Sequence, residues 1–125
     1  MKRPAVVVAV AILLGAGACG QSPSAEPPPQ VPGGNAAVGA ELITQFGCGS
    51  CHIIPGIDGA GGLVGPPLIH FGRRKIIAGQ LSNTADNLIR WIMDPQSVEP
   101  GTAMPDLQVT ERQARDIAAY LFELE

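Results

Sequence analysis

Three residues in close order carry most of the reactive chemistry in this chain: Cys48 and Cys51, with His52 directly after the second thiol. Thiols and an imidazole at this spacing admit four uses. A zinc site would have to draw on Cys48, Cys51, His52 and His70, but adjacent Cys51 and His52 point in different directions, and no second C-x-x-C or H-x-x-x-H pair is present. A thioredoxin-like dithiol needs a βαβ setting, and the flanking sequence lacks a convincing strand pattern. A disulfide suits an exported protein yet leaves His52 without a role. The fourth use accounts for all three residues. C-x-x-C-H is the attachment signature of a c-type haem: two thiols on one helical turn reach the two vinyl groups of a porphyrin, and the histidine that follows swings under the iron as a nitrogen ligand. The expectation is one haem c, bound covalently through Cys48 and Cys51, with His52 as an axial ligand.

A six-coordinate iron needs a further ligand, and Met93, Met104 and His70 are the candidates, Met1 leaving with the signal described below. Met104 lies in Gly101-Thr102-Ala103-Met104-Pro105, a loop bracketed by glycine and proline that can present a thioether from a stiff segment. Met93 ends an apolar helical stripe, where methionine is more often core packing than ligand. Met104 is therefore the expected ligand, and His70 is read as a pocket or surface residue of unknown role. Thioether ligation favours ferrous iron and raises the potential. A closed sixth position also discourages peroxide or oxygen chemistry, so the chain is expected to carry electrons rather than act as an enzyme.

Stepping outward, the chain has 125 residues, with 16 Gly, 12 Pro and only five aromatic side chains (Phe46, Phe71, Trp91, Tyr120, Phe122), thin material for a protein-only core. A flat apolar macrocycle would fill what the side chains do not. Net charge is -3, and from residue 36 onward six Lys/Arg face ten Asp/Glu. Beyond Arg73-Arg74-Lys75 no basic run occurs, which argues against a nucleic-acid partner and a polybasic membrane tail.

Residues 1–18 read as a secretory signal. Lys2 and Arg3 precede an apolar stretch over 5–18, about 21 Å long as a helix and too short for a bilayer core of about 30 Å. Ala16-Gly17-Ala18-Cys19 fits ordinary signal cleavage and also lipoprotein processing at Cys19. Ala16 is smaller than the residue usual there in a lipobox, whereas Cys19 has no structural partner once Cys48 and Cys51 are assigned. The expectation is a lipid on Cys19 and a proline-rich, extended spacer over 19–35, tying a domain at 36–125 to a membrane on the outer side of the cell.

Helical periodicity predicts a first helix over 37–46 with Val38, Leu42, Ile43 and Phe46 on one face. A second over 85–93 is capped by Thr84 and ended by Asp94-Pro95, with Leu88, Ile89 and Ile92 inward. A last helix follows the capping box Thr110-Glu111-Arg112-Gln113, with Ala114, Ile117, Ala118 and Leu121 inward. Between the first two, residues 53–80 read as a Gly- and Pro-rich loop whose Ile54, Leu63, Val64 and Leu68 lie against haem.

With Cys48 to His52, Gly65-Pro66-Pro67-Leu68 and Met104-Pro105 in place, residues 36–124 resemble class I cytochrome c. The run from His70-Phe71-Gly72-Arg73-Arg74 through Asn83-Thr84 to Trp91-Ile92-Met93-Asp94-Pro95-Gln96 is similar to the cytochrome c domain of subunit II of haem-copper oxidases. No Cys-x-x-x-Cys copper motif accompanies it. The resemblance implies an all-α fold of three to five helices wrapped around one covalent haem. It also implies that the Pro66 carbonyl accepts a hydrogen bond from His52, that Arg74 and Trp91 face the haem propionates, and that Gly39 lets the first helix cross the last closely. Arg74 as a solvated cation and Trp91 as plain core remain open alternatives. Ile43 stands where the family often has an aromatic residue, leaving that contact open.

Together these readings predict a monohaem cytochrome passing single electrons between respiratory partners (an oxidase, a reductase or a dehydrogenase) outside the cytoplasm. The alternative is a fixed cytochrome c subunit of a larger membrane oxidase or dehydrogenase complex.

Overall fold

The computed structural model describes residues 27–125. The first helix, α1 (Ala36–Gln45), begins where Asn35 accepts a hydrogen bond from the Val38 N–H through its side chain, and it closes at Phe46 and Gly47, the latter in the left-handed region with φ of 69°. The last helix, α4 (Glu111–Glu123), starts at the predicted capping box, with the Thr110 N–H donating to Gln113 Oε1 at 3.0 Å and the Gln113 N–H donating to Thr110 Oγ1 at 3.5 Å. Between them lie α2 (Ala85–Met93) and α3 (Pro95–Val98), and, ahead of α2, a two-stranded antiparallel hairpin of β1 (Ile76–Ile77) and β2 (Leu81–Ser82).

α1 crosses α4 so closely that only glycine fits at position 39, because a Cβ there would lie 2.1 Å from the Asp116 carbonyl oxygen. The Asn35 N–H donates to Asp116 Oδ1 at 2.8 Å, giving a first-turn amide of α1 a partner on α4. Ile43, at 1% exposure, fills the contact that the family resemblance left open. Leu88, Ile117, Ala118 and Leu121 complete the core around it. Phe71 packs on Phe122 with ring centroids 6.0 Å apart, and the Gly72 N–H donates to the Leu124 carbonyl at 2.9 Å, fixing the middle of the chain to the end of α4.

Three features depart from the sequence expectations. The segment read as loop over 53–80 contains β1, which pairs with β2 just beyond it across a turn at Ala78 and Gly79 with φ of 48° and 72°. Asp94-Pro95, read only as the end of α2, also starts α3: the Asp94 carboxylate accepts from the Ser97 N–H at 3.1 Å, and Pro95 occupies the first turn, where its missing N–H costs nothing. The third concerns the stretch expected to be a free spacer. Val31 packs against the core, and Gly34 lies against Arg115 and Ala119 of α4, so the residues just before α1 lie on the domain. Cys19 and the predicted signal fall outside the described residues.

Candidate functional site

The chain leaves α1 through Gly47 into a single 3₁₀ turn at Cys48–Ser50, held by the Ser50 N–H to Gly47 carbonyl bond at 3.0 Å and by the Cys51 and His52 N–H groups donating to the Cys48 carbonyl at 3.2 and 3.0 Å. This turn sets Cys48, Cys51 and His52 into the wall of one cavity of about 410 Å³, a volume within the range of small-molecule and cofactor sites. Cys48 and Cys51 are not joined to each other. Burial, the largest influence on Cys48, pushes the pKa of its thiol above the ordinary value.

His52 Nδ1 lies 2.8 Å from the Pro66 carbonyl oxygen. A carbonyl only accepts, so Nδ1 carries the proton and the lone pair is left on Nε2. The loop that supplies Pro66 lies flat on the ring: a Cβ at Gly65 would come within 2.2 Å of His52 Cε1, and the Gly65 N–H donates to the Cys51 carbonyl at 2.8 Å. Glycine at 65 is thus a requirement of the histidine's placement. Earlier in the same loop, the Pro55 carbonyl accepts from the Tyr120 hydroxyl of α4 at 2.6 Å, and burial, followed by the nearby Glu123 charge, raises the Tyr120 pKa.

Of the three candidate partners for His52, the structure places Met104 in the cavity lining beside Thr102, Ala103 and Pro105. Met93 lines a separate groove with Ile89, Asp94 and Ser97. His70 is exposed and absent from the cavity lining; it sits in the left-handed region, φ 54°, at the head of the second 3₁₀ turn, Phe71–Arg73. Of the apolar loop residues expected against haem, Ile54 and Leu68 are buried and line the cavity, and Val64 lines it while 70% exposed. Leu63 is 83% exposed and contributes nothing to the wall.

Arg74 and Trp91 both line the cavity. The Arg74 guanidinium donates to the Pro67 and Ile69 carbonyls and lies over the Phe71 ring, 5.3 Å from its centroid. It thereby holds the loop that carries Pro66, a role that sequence reasoning did not foresee. Burial lowers its pKa, though a guanidinium keeps its proton throughout the physiological range. Asn83 was also missed as a structural residue. It is buried, and its Nδ2 donates to the Phe71 and Arg74 carbonyls at 3.0 and 3.1 Å, fastening the second 3₁₀ turn beside the start of α2. Its position just ahead of the Thr84 cap was the available signal.

The donor set fits a haem. Two thiols lie on one turn, an imidazole presents its free nitrogen, and a thioether shares the cavity. The remaining wall is mostly aliphatic and aromatic, with Arg74 and Glu99 as its only Lys, Arg, Asp or Glu residues among the described residues. The comparisons with known proteins agree. The family model for cytochrome c matches residues 36–125.

The chain belongs to the cytochrome c family.

This cytochrome is 37% identical over 87 residues to cytochrome c oxidase subunit 2 of Alkalihalophilus pseudofirmus, an alignment covering 69% of this chain and 25% of the relative. It is 36% identical over 88 residues to cytochrome c oxidase subunit 2 of Bacillus sp. strain PS3, covering 67% and 25%. The aligned part is thus about a quarter of the length of these relatives. Among solved structures, cytochrome c2 from Paracoccus denitrificans superposes with a TM-score of 0.54 at 25% identity, covering 72% of this chain and 95% of that one. The class I cytochrome c fold is therefore established, mostly helical with one small hairpin, and so is the family's electron-transfer function with covalently bound haem c.

Proposed function

We propose that this cytochrome is a monohaem carrier that passes single electrons between respiratory proteins outside the cytoplasm. Cys48 and Cys51 would be the attachment thiols, and His52 and Met104 would hold the iron. The observation that carries this reading is the cavity wall itself: it gathers both thiols, the imidazole and the Met104 segment, while Met93 and His70 lie elsewhere. When bound, haem iron supplies a one-electron ferric/ferrous couple. The residues of this chain set its surroundings. Pro66 orients His52 through the Nδ1 hydrogen bond and leaves Nε2 as its donor atom. The Met104 thioether, as a ligand, would favour the ferrous state and would close the iron to peroxide chemistry. Arg74 and Trp91 are suited to the propionates, a cation and an indole N–H beside carboxylates that the apolar wall would otherwise leave unpaired.

The chemistry is tested on two measurements. Intact mass of the protein from the membrane fraction reports the number of haems, cleavage at Cys19 and acylation together. One haem and a diacyl or triacyl increment are expected, and an unmodified Cys19 would overturn the lipid anchor. Ferric wild-type protein is expected to show the weak far-red band of methionine-ligated iron and Met104→Ala to lose it; a band that survives the substitution overturns the ligand assignment.

A second reading, a fixed cytochrome subunit of a membrane oxidase or dehydrogenase, is favoured by the subunit 2 relatives. Purification in mild detergent separates the two: a stable stoichiometric complex supports the subunit, and a free protein whose electron-transfer rates fall with salt supports the shuttle. Among the described residues no helix is long and apolar enough to cross a membrane.

A further inference from the structure

We propose that Gln96 is the clasp that holds Met104 in the cavity wall, a positioning residue that sets how readily the iron exchanges its methionine for another ligand. The inference rests on the Met104 ligation proposed above and goes beyond it by assigning the residue that controls the ligand's release.

A glutamine amide offers two donors and one acceptor group, and here all are engaged on the Met104 loop. Nε2 donates to the Thr102 carbonyl at 2.9 Å and to the Met104 carbonyl at 3.2 Å, while Oε1 accepts from the Gly101 N–H at 3.1 Å. One side chain thus binds the loop before, within and at the methionine. The loop also carries the Thr102 N–H to Glu99 carbonyl bond at 3.1 Å and the Met104 N–H to Thr102 Oγ1 bond at 3.4 Å, both internal to the segment that follows α3. The base of the clasp is stiff. Gln96 lies in the first turn of α3, between fully buried Pro95 and Ser97, whose N–H and hydroxyl both bond Asp94. At the far end of α3, Gln80 in the hairpin turn donates to the Val98 carbonyl at 3.0 Å and to Glu99 Oε2 at 2.7 Å. Gln96 itself is exposed, so its role does not lie in filling the core, and its replacement opens no internal void.

Losing the three bonds leaves the thioether in reach of the iron but lowers the cost of swinging it away. The test uses the full haem-loaded chain in the ferric state, with imidazole as the competing ligand, followed through the haem spectrum and the far-red band. Gln96→Leu is expected to keep the band without imidazole and to bind imidazole about tenfold more tightly than wild type, the factor expected from net hydrogen bonds of this number and exposure. In the Met104→Ala background, where no methionine has to be displaced, Gln96→Leu is expected to change nothing. Gln96→Glu keeps the acceptor for Gly101 but turns a carboxylate oxygen on two carbonyls, and is expected to tighten imidazole binding at least as much. Wild-type affinity in either single variant overturns the clasp. So does an equal shift in the Met104→Ala background, which marks general loosening of the cavity. If wild type lacks the far-red band from the outset, it is the ligand reading that fails, and the clasp falls with it.

Discussion

The two sides of the cavity in this cytochrome are built by different means. On the α4 side, helices meet through buried side chains and one backbone-to-backbone contact at Gly39, with Ile43, Leu88, Ala114 and Ala118 at 1% exposure or less. On the Met104 side, short segments are held from outside by exposed amides, Gln96 and Gln80, that bond backbone carbonyls. Packing resists displacement in all directions and gives way only with the fold. A polar clasp can open by itself, because water replaces its bonds at small net cost. The difference predicts that substitutions on the helical side move global unfolding, while those on the loop side move the ligation state first.

The largest effect should follow from spoiling the helix crossing. Gly39→Val puts a Cβ into the Asp116 carbonyl, a contact that no rotamer change relieves, and is expected to cost upward of about 4 kcal/mol in urea unfolding or to prevent accumulation of folded protein. Gly65→Ala should act in between. It drives a methyl into the His52 ring, for about 2 kcal/mol of overpacking, and the haem spectrum should change even where helical circular dichroism does not; an unchanged spectrum would break the contrast drawn here.

The smallest effect concerns the Tyr120 hydroxyl, which ties α4 to the Pro55 carbonyl in the loop that follows His52. Tyr120→Phe is expected to lose about 1 kcal/mol at neutral pH. Its pKa is raised in the folded protein above the ordinary value of 10.0, so its contribution is fully present below that value and is lost as pH rises through the folded pKa. Wild-type stability should therefore decline above about pH 10 in a way that the Phe variant does not share, as measured by urea midpoints across that range.

Legibility in the sequence follows the same division. α2 and α4 announce themselves because each is an amphipathic repeat with a local cap, Thr84 and Thr110 accepting from the N–H three residues on, while α1 shows by its repeat alone and its Asn35 cap emerges only in the structure. The C-x-x-C-H pattern is legible for a similar reason, since Cys48, Cys51 and His52 fall within five consecutive positions. Gln96 and Arg74 are different. Each bonds main-chain carbonyls of a non-repetitive loop, a target with no side-chain signature, and nothing in the spacing of Gln96 and Met104 marks them as partners. The hairpin was hidden by its size, two residues per strand, below the length at which alternation can be counted. Leu63 shows the converse error: an apolar residue beside a cavity need not face it.

The hydrogen bond from Asn35 to Asp116 and the packing of Gly34 on Arg115 and Ala119 bring the start of the domain to its final helix. Pro28, Pro29 and Val31 border the same hollow as Phe122, Glu123 and Glu125. Entry and exit of the chain are therefore neighbours on one surface. A unit with adjoining ends can be spliced into or onto a longer polypeptide with little disturbance to either, which gives a structural route by which such a module makes up about a quarter of the much longer oxidase subunits it resembles.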